Sequence, residues 1–430
     1  MKISIKLLIG IVLSALTMAA PMNALAKELS GKITAWSWNI GAKSLEANIA
    51  GFNKKHPNVE VVVEMTGHSQ VHERFMAACV SGDGSGLPDV LSLENSGAQI
   101  YWTRFPDCAT NLREFGYTKE ISEGFPGFKT IELEVGDEAY GMPWDSGPVM
   151  MFYRRDLYEK ASIDPATIET WDDFIAAGKK ISKANPGVVM TQASFNEDVE
   201  FLLMIGNQNG CSIFSDDASS ITVSSPKCAE ALDVVKKMFD DKLMTAADWG
   251  TKIQSAAASK VATHMFGGWY EGTIRGSMPP EQSGKWGVYH MPSVKPGGKR
   301  AANWGGSALI IPGSSKNKEA AFAYLMHVGS VEGQITSMRE YGLVPSLIKA
   351  LNDPFVQQPQ EFWGGQKVWV DTLETLPDVN PEIGTPFRKD AIGVLVPVQL
   401  DYLNGKYESA QAALDVAAQQ ISIATSLPVK

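Results

Sequence analysis

The residues Tyr140-Gly141-Met142-Pro143-Trp144-Asp145-Ser146-Gly147-Pro148 set a large aromatic ring beside a carboxylate, with Gly and Pro directly after as backbone punctuation. An indole presents a flat apolar face that covers the C–H face of a sugar ring, and a carboxylate accepts hydrogen bonds from hydroxyls. The same residues also fit an ordinary turn around a buried Trp. Related pairings recur. Trp269 follows Gly267-Gly268, and Trp304 precedes Gly305-Gly306; glycine lets a ligand come close to the backbone beside a stacking surface. Trp36 and Trp38 are two apart and are expected on one face of a strand, with Asn39 just beyond it. Glu94 and Asn95 follow the apolar run Val90–Leu93, at a strand's carboxyl end, where open α/β sheets bind their ligands. Asn196 and Glu197 are candidate polar contacts later in the chain.

Other chemistries lack their residues. His68 and His72 are four apart, but no third ligand has zinc spacing, and both are read as surface histidines. Gly82-Asp83-Gly84-Ser85-Gly86 is not followed by the Gly-Lys-Ser/Thr of a phosphate loop. No Gly-x-Ser-x-Gly elbow is present. Neither a metal nor a cofactor is expected, and the chain is read as a binding protein without catalysis. Arg388 is the best late cation and is expected at the surface; Trp363 and Trp369 are expected in packing.

Strands alternating with helices must position these residues. Lys32–Trp36 reads as a strand, Leu45, Ile49 and Phe52 as one helix face, and the β-branched run Val59–Val63 as a buried strand. Val71, Phe75 and Ala78 suggest a second helix before Val90–Leu93. A second alternating stretch follows Pro148: Met150–Tyr153 as a strand, then a helix with Thr170 as N-cap and Trp171, Phe174, Ile175 and Ile181 on its inner face. Val261–Phe266 and Ala308–Ile311 read as strands, Lys318–Val328 and Ser409–Ala424 as helices. This alternation implies open sheets in α/β lobes.

Met1–Ala26 has the form of a secretory signal: Lys2 and Lys6, an apolar core too short to span a bilayer, and Ala24-Leu25-Ala26 as the cleavage site. No Cys follows at once, so no lipid anchor is expected. A length of 430 residues is more than one core usually fills, and two lobes are expected. The formal charge of −10 argues against nucleic acid or an anionic membrane as partner. The four cysteines allow three pairings. In an oxidising compartment the neighbours in sequence, Cys79–Cys108 and Cys211–Cys228, are the expected pairs; four free thiols are the alternative.

With these residues in view, the chain resembles the extracellular solute-binding proteins of bacterial ABC importers, in the carbohydrate-binding group. The segments that carry the resemblance stand in family order. They are Ile33-Thr34-Ala35-Trp36-Ser37-Trp38, Phe52-Asn53-Lys54-Lys55-His56-Pro57-Asn58-Val59, Leu87-Pro88-Asp89-Val90, Tyr140-Gly141-Met142-Pro143, Phe152-Tyr153-Arg154-Arg155-Asp156-Leu157, Trp171-Asp172-Asp173-Phe174, Met265-Phe266-Gly267-Gly268-Trp269, the stretch from Ser314 to Val328, and Tyr341-Gly342-Leu343-Val344-Pro345-Ser346. The resemblance implies a two-lobed periplasmic binding protein fold, each lobe an open sheet flanked by helices, with both lobes discontinuous. Residues 27–146 plus 305–342 would form one lobe, and 147–304 plus 343–430 the other. It implies hinge crossings near Pro143, Asn303 and Tyr341–Pro345, and closure around the ligand, for which periplasmic binding proteins are a standing example. Its expected partners are a carbohydrate and the permease subunits of an importer, with the protein a monomer in the periplasm. Two other readings stay open: a secreted glycoside hydrolase using two carboxylates, or the same fold holding a polyamine or osmolyte.

Overall fold

The computed structural model describes residues 28–430 other than Pro381 and Ile383, so the expected signal at 1–26 lies outside the described residues. The first strand, Gly31–Ser37, pairs in parallel with Val59–Met65 and with Val90–Glu94. The crossovers are the helices Asn39–Asn53 and His68–Ser81. Ser307–Ile310 pairs antiparallel with Val90–Glu94 on one side and with Met142–Pro143 on the other, completing a five-stranded sheet.

Alternation along the strands feeds a core on each face of this sheet. Ile33, Ala35 and Val90 pack with Leu45, Phe52 and Tyr324 on one side. Trp36, Leu91 and Leu93 pack with Phe75, Tyr101 and Trp102 on the other. The run Val59–Val63 differs from expectation. Its strand lies at the sheet edge, so Val59 and Val61 are buried while Glu60 is exposed.

A second body is built on the three-stranded antiparallel sheet of Thr263–Gly267, Val149–Arg154 and Trp286–His290. The central strand is buried throughout. Val149, Met151 and Tyr153 face a large helical core with Trp171, Phe174 and Leu232; Met150 and Phe152 face another with Tyr270, Trp363 and Trp369. Helix Trp171–Ala184 begins where its sequence says it must. The Thr170 side chain accepts the Asp173 N–H, and the Asp173 carboxylate reaches back to the Thr170 N–H in a capping box. Among the described residues, no helix is long and apolar enough to cross a membrane.

The disulfides are Cys79–Cys108 and Cys211–Cys228, the pairs expected from sequence. Three stretches of chain connect the two sheets and lie side by side. Ser146 and Asp145 pair with Val344 and Pro345, and Pro148 bridges Asn303. The Gly147 N–H donates to the Asn303 side chain at 3.1 Å, and the Trp304 N–H donates to the Gly147 carbonyl at 2.7 Å. Gly147 has no room for a side chain, because a Cβ there would overlap the Trp304 carbonyl.

Candidate functional site

The ends of both sheets open onto one cleft of about 610 Å³. From the end of the five-stranded sheet comes Glu94, and from the start of the helix after its first strand Trp38 and Asn39; from the connecting stretches Trp144, Asp145, Trp304, Gly305 and Gly306; from the second body Trp269. Four of the positions picked out in sequence are absent from its wall, each for a local reason. Trp36 is buried in the core with Val71 and Phe75, where its Nε1 donates to Glu64 at 2.8 Å and the Arg74 guanidinium lies over its ring. Trp38 caps the following helix and has left the strand, so the two-residue alternation does not carry over to it. Asn95 is buried beneath the floor, donating to the Lys129 carbonyl from its side chain and to the Gly306 carbonyl from its backbone. Asn196 and Glu197 occupy an exposed turn, and the lining falls to Ser194, Asp198 and Glu200 around them.

Helix Asn39–Asn53 points its N-terminus into the cleft. No side chain caps it, and Asn39, Ile40 and Gly41 all line the cavity. Its free backbone N–H groups therefore offer donors to a ligand oxygen. Asn39 holds φ +45°, in the left-handed region that Asn tolerates better than most residues.

The His68 ring lies 3.2 Å from the Glu94 carboxylate, and Ser96 donates to the other Glu94 oxygen at 3.0 Å. Burial opposes ionisation of Glu94, but the His68 hydrogen bond and charge, with the charge of Arg388, outweigh it and hold the carboxyl at about 2. Burial works against protonated His68 too, and Glu94 overcomes it, raising the imidazole above its usual value. The His68 ring stands edge-on to Trp38, centroids 4.7 Å apart, and so fixes that indole. His72 is held neutral, pushed down to about 4 by burial and by His68. His68 is thus exposed, as expected, but on the cleft wall, while His72 is half-buried behind it rather than at the surface. Among the described residues, no cluster of three or more metal-ligating side chains occurs.

Asp145 is 4% exposed and accepts the Ser307 N–H at 2.7 Å. Burial raises its carboxyl to about 6, against the lowering pull of Lys129 and of that N–H. Lys129 was not foreseen. Its ammonium is fully buried without a hydrogen-bond partner, 2.7 Å from where a Cβ on Gly306 would stand, and the Asp145 carbonyl is 2.9 Å from the same point. Burial drives the Lys129 pKa down, resisted by Glu132, Asp145 and Glu94. Gly306, at φ +92°, is thus needed both for its backbone conformation and for the space it leaves.

On the opposite wall Lys252 donates to Glu200 at 2.6 Å and to Ser194 at 2.9 Å, with its ammonium 4.9 Å above the Phe266 ring. Trp269 donates its indole N–H to the Trp304 carbonyl at 2.9 Å and is packed by Phe266 and Trp249. Arg388 is not a free surface cation. It begins helix Arg388–Leu403, pairs with Glu382 at 2.9 Å, and is close enough to Glu94 and Asp198 for their charges to raise its pKa against burial. Trp363 and Trp369 are packing residues, as expected. The arrangement offers flat apolar faces alternating with fixed acceptors and donors, which is what an uncharged polyhydroxylated ring requires.

A family model described as bacterial extracellular solute-binding protein matches residues 47–363. The chain is similar to a lactose-binding protein of Rhizobium radiobacter, 28% identical, with 86% of this chain and 89% of that one covered. It is also similar to an arabinooligosaccharide-binding protein of Bacillus subtilis, 26% identical, covering 92% and 94%. Among solved structures, the GacH receptor of Streptomyces glaucescens superposes with TM-score 0.78 at 18% identity, covering 93% of this chain and 100% of that one. A binding protein from B. animalis subsp. lactis, solved with β-1,6-galactobiose, also gives 0.78, at 22% identity and 92% and 97% coverage. At these identities the superpositions speak to the two-lobed fold.

Proposed function

The chain belongs to the bacterial extracellular solute-binding protein family, and from that premise we propose that it captures a carbohydrate between its lobes and delivers it to the membrane permease of an ABC importer. The observation that carries this is the composition of the cleft. Half-buried tryptophans Trp38, Trp269 and Trp304 alternate with the carboxylates Glu94, Asp145 and Asp198. The names of the relatives, binders of lactose and of arabinooligosaccharides, support a sugar as the solute. In this reading Trp38, Trp144, Trp269 and Trp304 offer apolar faces or edges, and Asp145, Glu94 and Asn39 contact hydroxyls. The lobes are residues 27–146 with 305–342, and 147–304 with 343–430. The mature protein is a periplasmic monomer released from a signal at 1–26, and it returns its sugar chemically unchanged.

A thermal-shift screen over mono- and oligosaccharides tests the proposal. A ligand present at 100 times its dissociation constant adds about 2.7 kcal/mol of stability, and the midpoint rises visibly. A screen in which no saccharide moves the midpoint, while a polyamine or betaine does, overturns the choice of solute. Cleaved sugar after incubation overturns the assignment as a pure binder.

A further inference from the structure

Lys129 is fully buried, and among the described residues its ammonium finds no hydrogen-bond partner. Such a group costs stability unless an anion lies near, and an apolar side chain of similar length would fill the same space at less cost. Its placement is nevertheless well defined. It belongs to the short helix Gly127–Thr130, and its own carbonyl accepts the Asn95 side-chain N–H at 3.3 Å, just past strand Val90–Glu94. From there the ammonium reaches the underside of Gly306, which lines the cleft. A Cβ on that glycine would stand 2.7 Å from the Lys129 Nζ, 2.9 Å from the Asp145 carbonyl and 3.4 Å from the Gly147 nitrogen. The ammonium thus lies directly behind the stretch that carries Asp145, and it does not itself line the cleft.

Three carboxylates face this charge: Glu132, Asp145 and Glu94. They differ in what else they meet. Glu94 has His68 at 3.2 Å and the charge of Arg388. Glu132 does not line the cleft; burial pushes it towards its neutral form, helped by Glu382 and opposed by Lys129, Asn95 and Arg388. Asp145 lines the cleft, with Lys129 as its cation and Glu94 working against it. The Ser307 N–H holds one of its oxygens at 2.7 Å. Burial favours its protonated form, which is a weaker acceptor for a hydroxyl than a carboxylate is. We propose that Lys129 is a positioning residue for ligand capture: it never touches the ligand, but its charge keeps Asp145 a carboxylate at the cleft floor, ready to accept the ligand's hydroxyls. This rests on the proposed contact of Asp145 with sugar hydroxyls.

The test compares Lys129→Met and Lys129→Gln with wild type in the mature protein. The Asp145 carboxyl is titrated without ligand by carbon-13 NMR of Asp-labelled protein, its signal assigned through Asp145→Asn. Loss of the cation is expected to raise the midpoint from about 6 by about one pH unit or more, the effect of an opposite charge at close range. Calorimetry with lactose, maltose and arabinobiose from pH 5.5 to 9 reads the consequence; His68 titrates in wild type and variants alike and cancels in the comparison. Below both midpoints the variants bind roughly tenfold more weakly for each pH unit by which the midpoint has risen, and at pH 9 they come within about threefold of wild type. A residue that only held the fold would lose affinity at every pH alike. Added to Asp145→Asn, Lys129→Met changes affinity by less than about twofold. An unmoved Asp145 midpoint, or an affinity loss that does not recover at pH 9, overturns the role of Lys129 and leaves the carbohydrate reading standing. A raised midpoint with an affinity that ignores pH overturns the contact of Asp145 with the ligand, and wild type that binds none of the three sugars overturns the carbohydrate contact on which the inference rests. Should Lys129→Met fail to fold, Lys129→Gln supplies the comparison; failure of both makes Lys129 a structural residue and overturns the inference.

Discussion

A carboxylate shut away from water holds its proton more tightly, and Asp145 does so up to about 6 from an ordinary 3.8. Because the folded value lies above the unfolded one, this group's contribution to stability is full below 3.8 and is lost as pH rises through about 6. On the proposed contact of Asp145 with sugar hydroxyls, ligand binding runs the other way, since the hydroxyls donate to the ionised form. Affinity is expected to hold above pH 7 and to fall below about 6, approaching tenfold per pH unit. Asp145→Asn flattens that profile and weakens binding at pH 7.5 by roughly ten- to a hundredfold, the worth of a hydrogen bond to a charge. Calorimetry from pH 5 to 8 checks both. Glu94, held at about 2, keeps its charge over that whole range. Trp269 has two duties, because it lines the cleft and also packs against two apolar cores. Trp269→Ala therefore loses affinity and about 2 kcal/mol of ligand-free stability, less than the 3–5 of a fully buried Trp; sugar titration and urea unfolding measure the two losses. Residues next to glycine or at a strand's end were legible in sequence, as Trp144, Asp145, Trp269 and Glu94 illustrate. Trp249, Lys252 and His68 were not. Each sits on a helix that reads as ordinary, and only the fold brings it to the cleft.

Elements with complete local signals were legible almost to the residue. The capped helix Trp171–Ala184 is the example, because period, cap and stop signal agree; Lys318–Val328 matches its expected bounds although no side chain caps it. Strand Trp286–His290 was missed, since Gly287 and His290 break an apolar run that tertiary pairing with Val149–Arg154 then stabilises. Helix Arg388–Leu403 was hidden by Pro397 within it. The disulfide Cys211–Cys228 joins the end of helix Glu200–Asn209 to the first turn of helix Pro226–Asp240, and neither cysteine lines the cleft. Replacing both cysteines by Ala is expected to lower ligand-free stability by about 3 kcal/mol, following the loop-entropy scale, and to leave sugar affinity within about twofold. Urea unfolding and calorimetry read these separately. An affinity loss matching the stability loss would mean that this corner of the lobe also shapes the cleft.

At the scale of the molecule, the cleft is also bridged by charge. Glu94 belongs to the first sheet, while Arg388 and Asp198 come from the second body, and each is felt by the others. Arg104 over the Phe387 ring, 5.2 Å away, adds a contact on the same side. The ordered motifs carried the two-lobed plan, but not this bridge, since charge partners nearly 300 residues apart leave no local pattern. Arg388 makes no contribution to the cleft wall. Its removal leaves Glu94 and Asp198 without the cation whose charge both feel, so, on the proposed closure of the lobes around the ligand, the arrangement that brings them together loses stability relative to an open one. A ligand that binds the closed form then has to draw on its own binding energy to close it, and the apparent affinity falls with the closed fraction. Arg388→Ala is accordingly expected to weaken sugar binding by roughly thirtyfold, at the low end of lost partners in buried charge pairs. Small-angle scattering should show the ligand-free variant at least as extended as wild type. It should show the same compact form once sugar saturates it. A variant that remains extended at saturation would place Arg388 in the structure of the closed state itself, and a variant that binds like wild type would remove the bridge from the closure equilibrium.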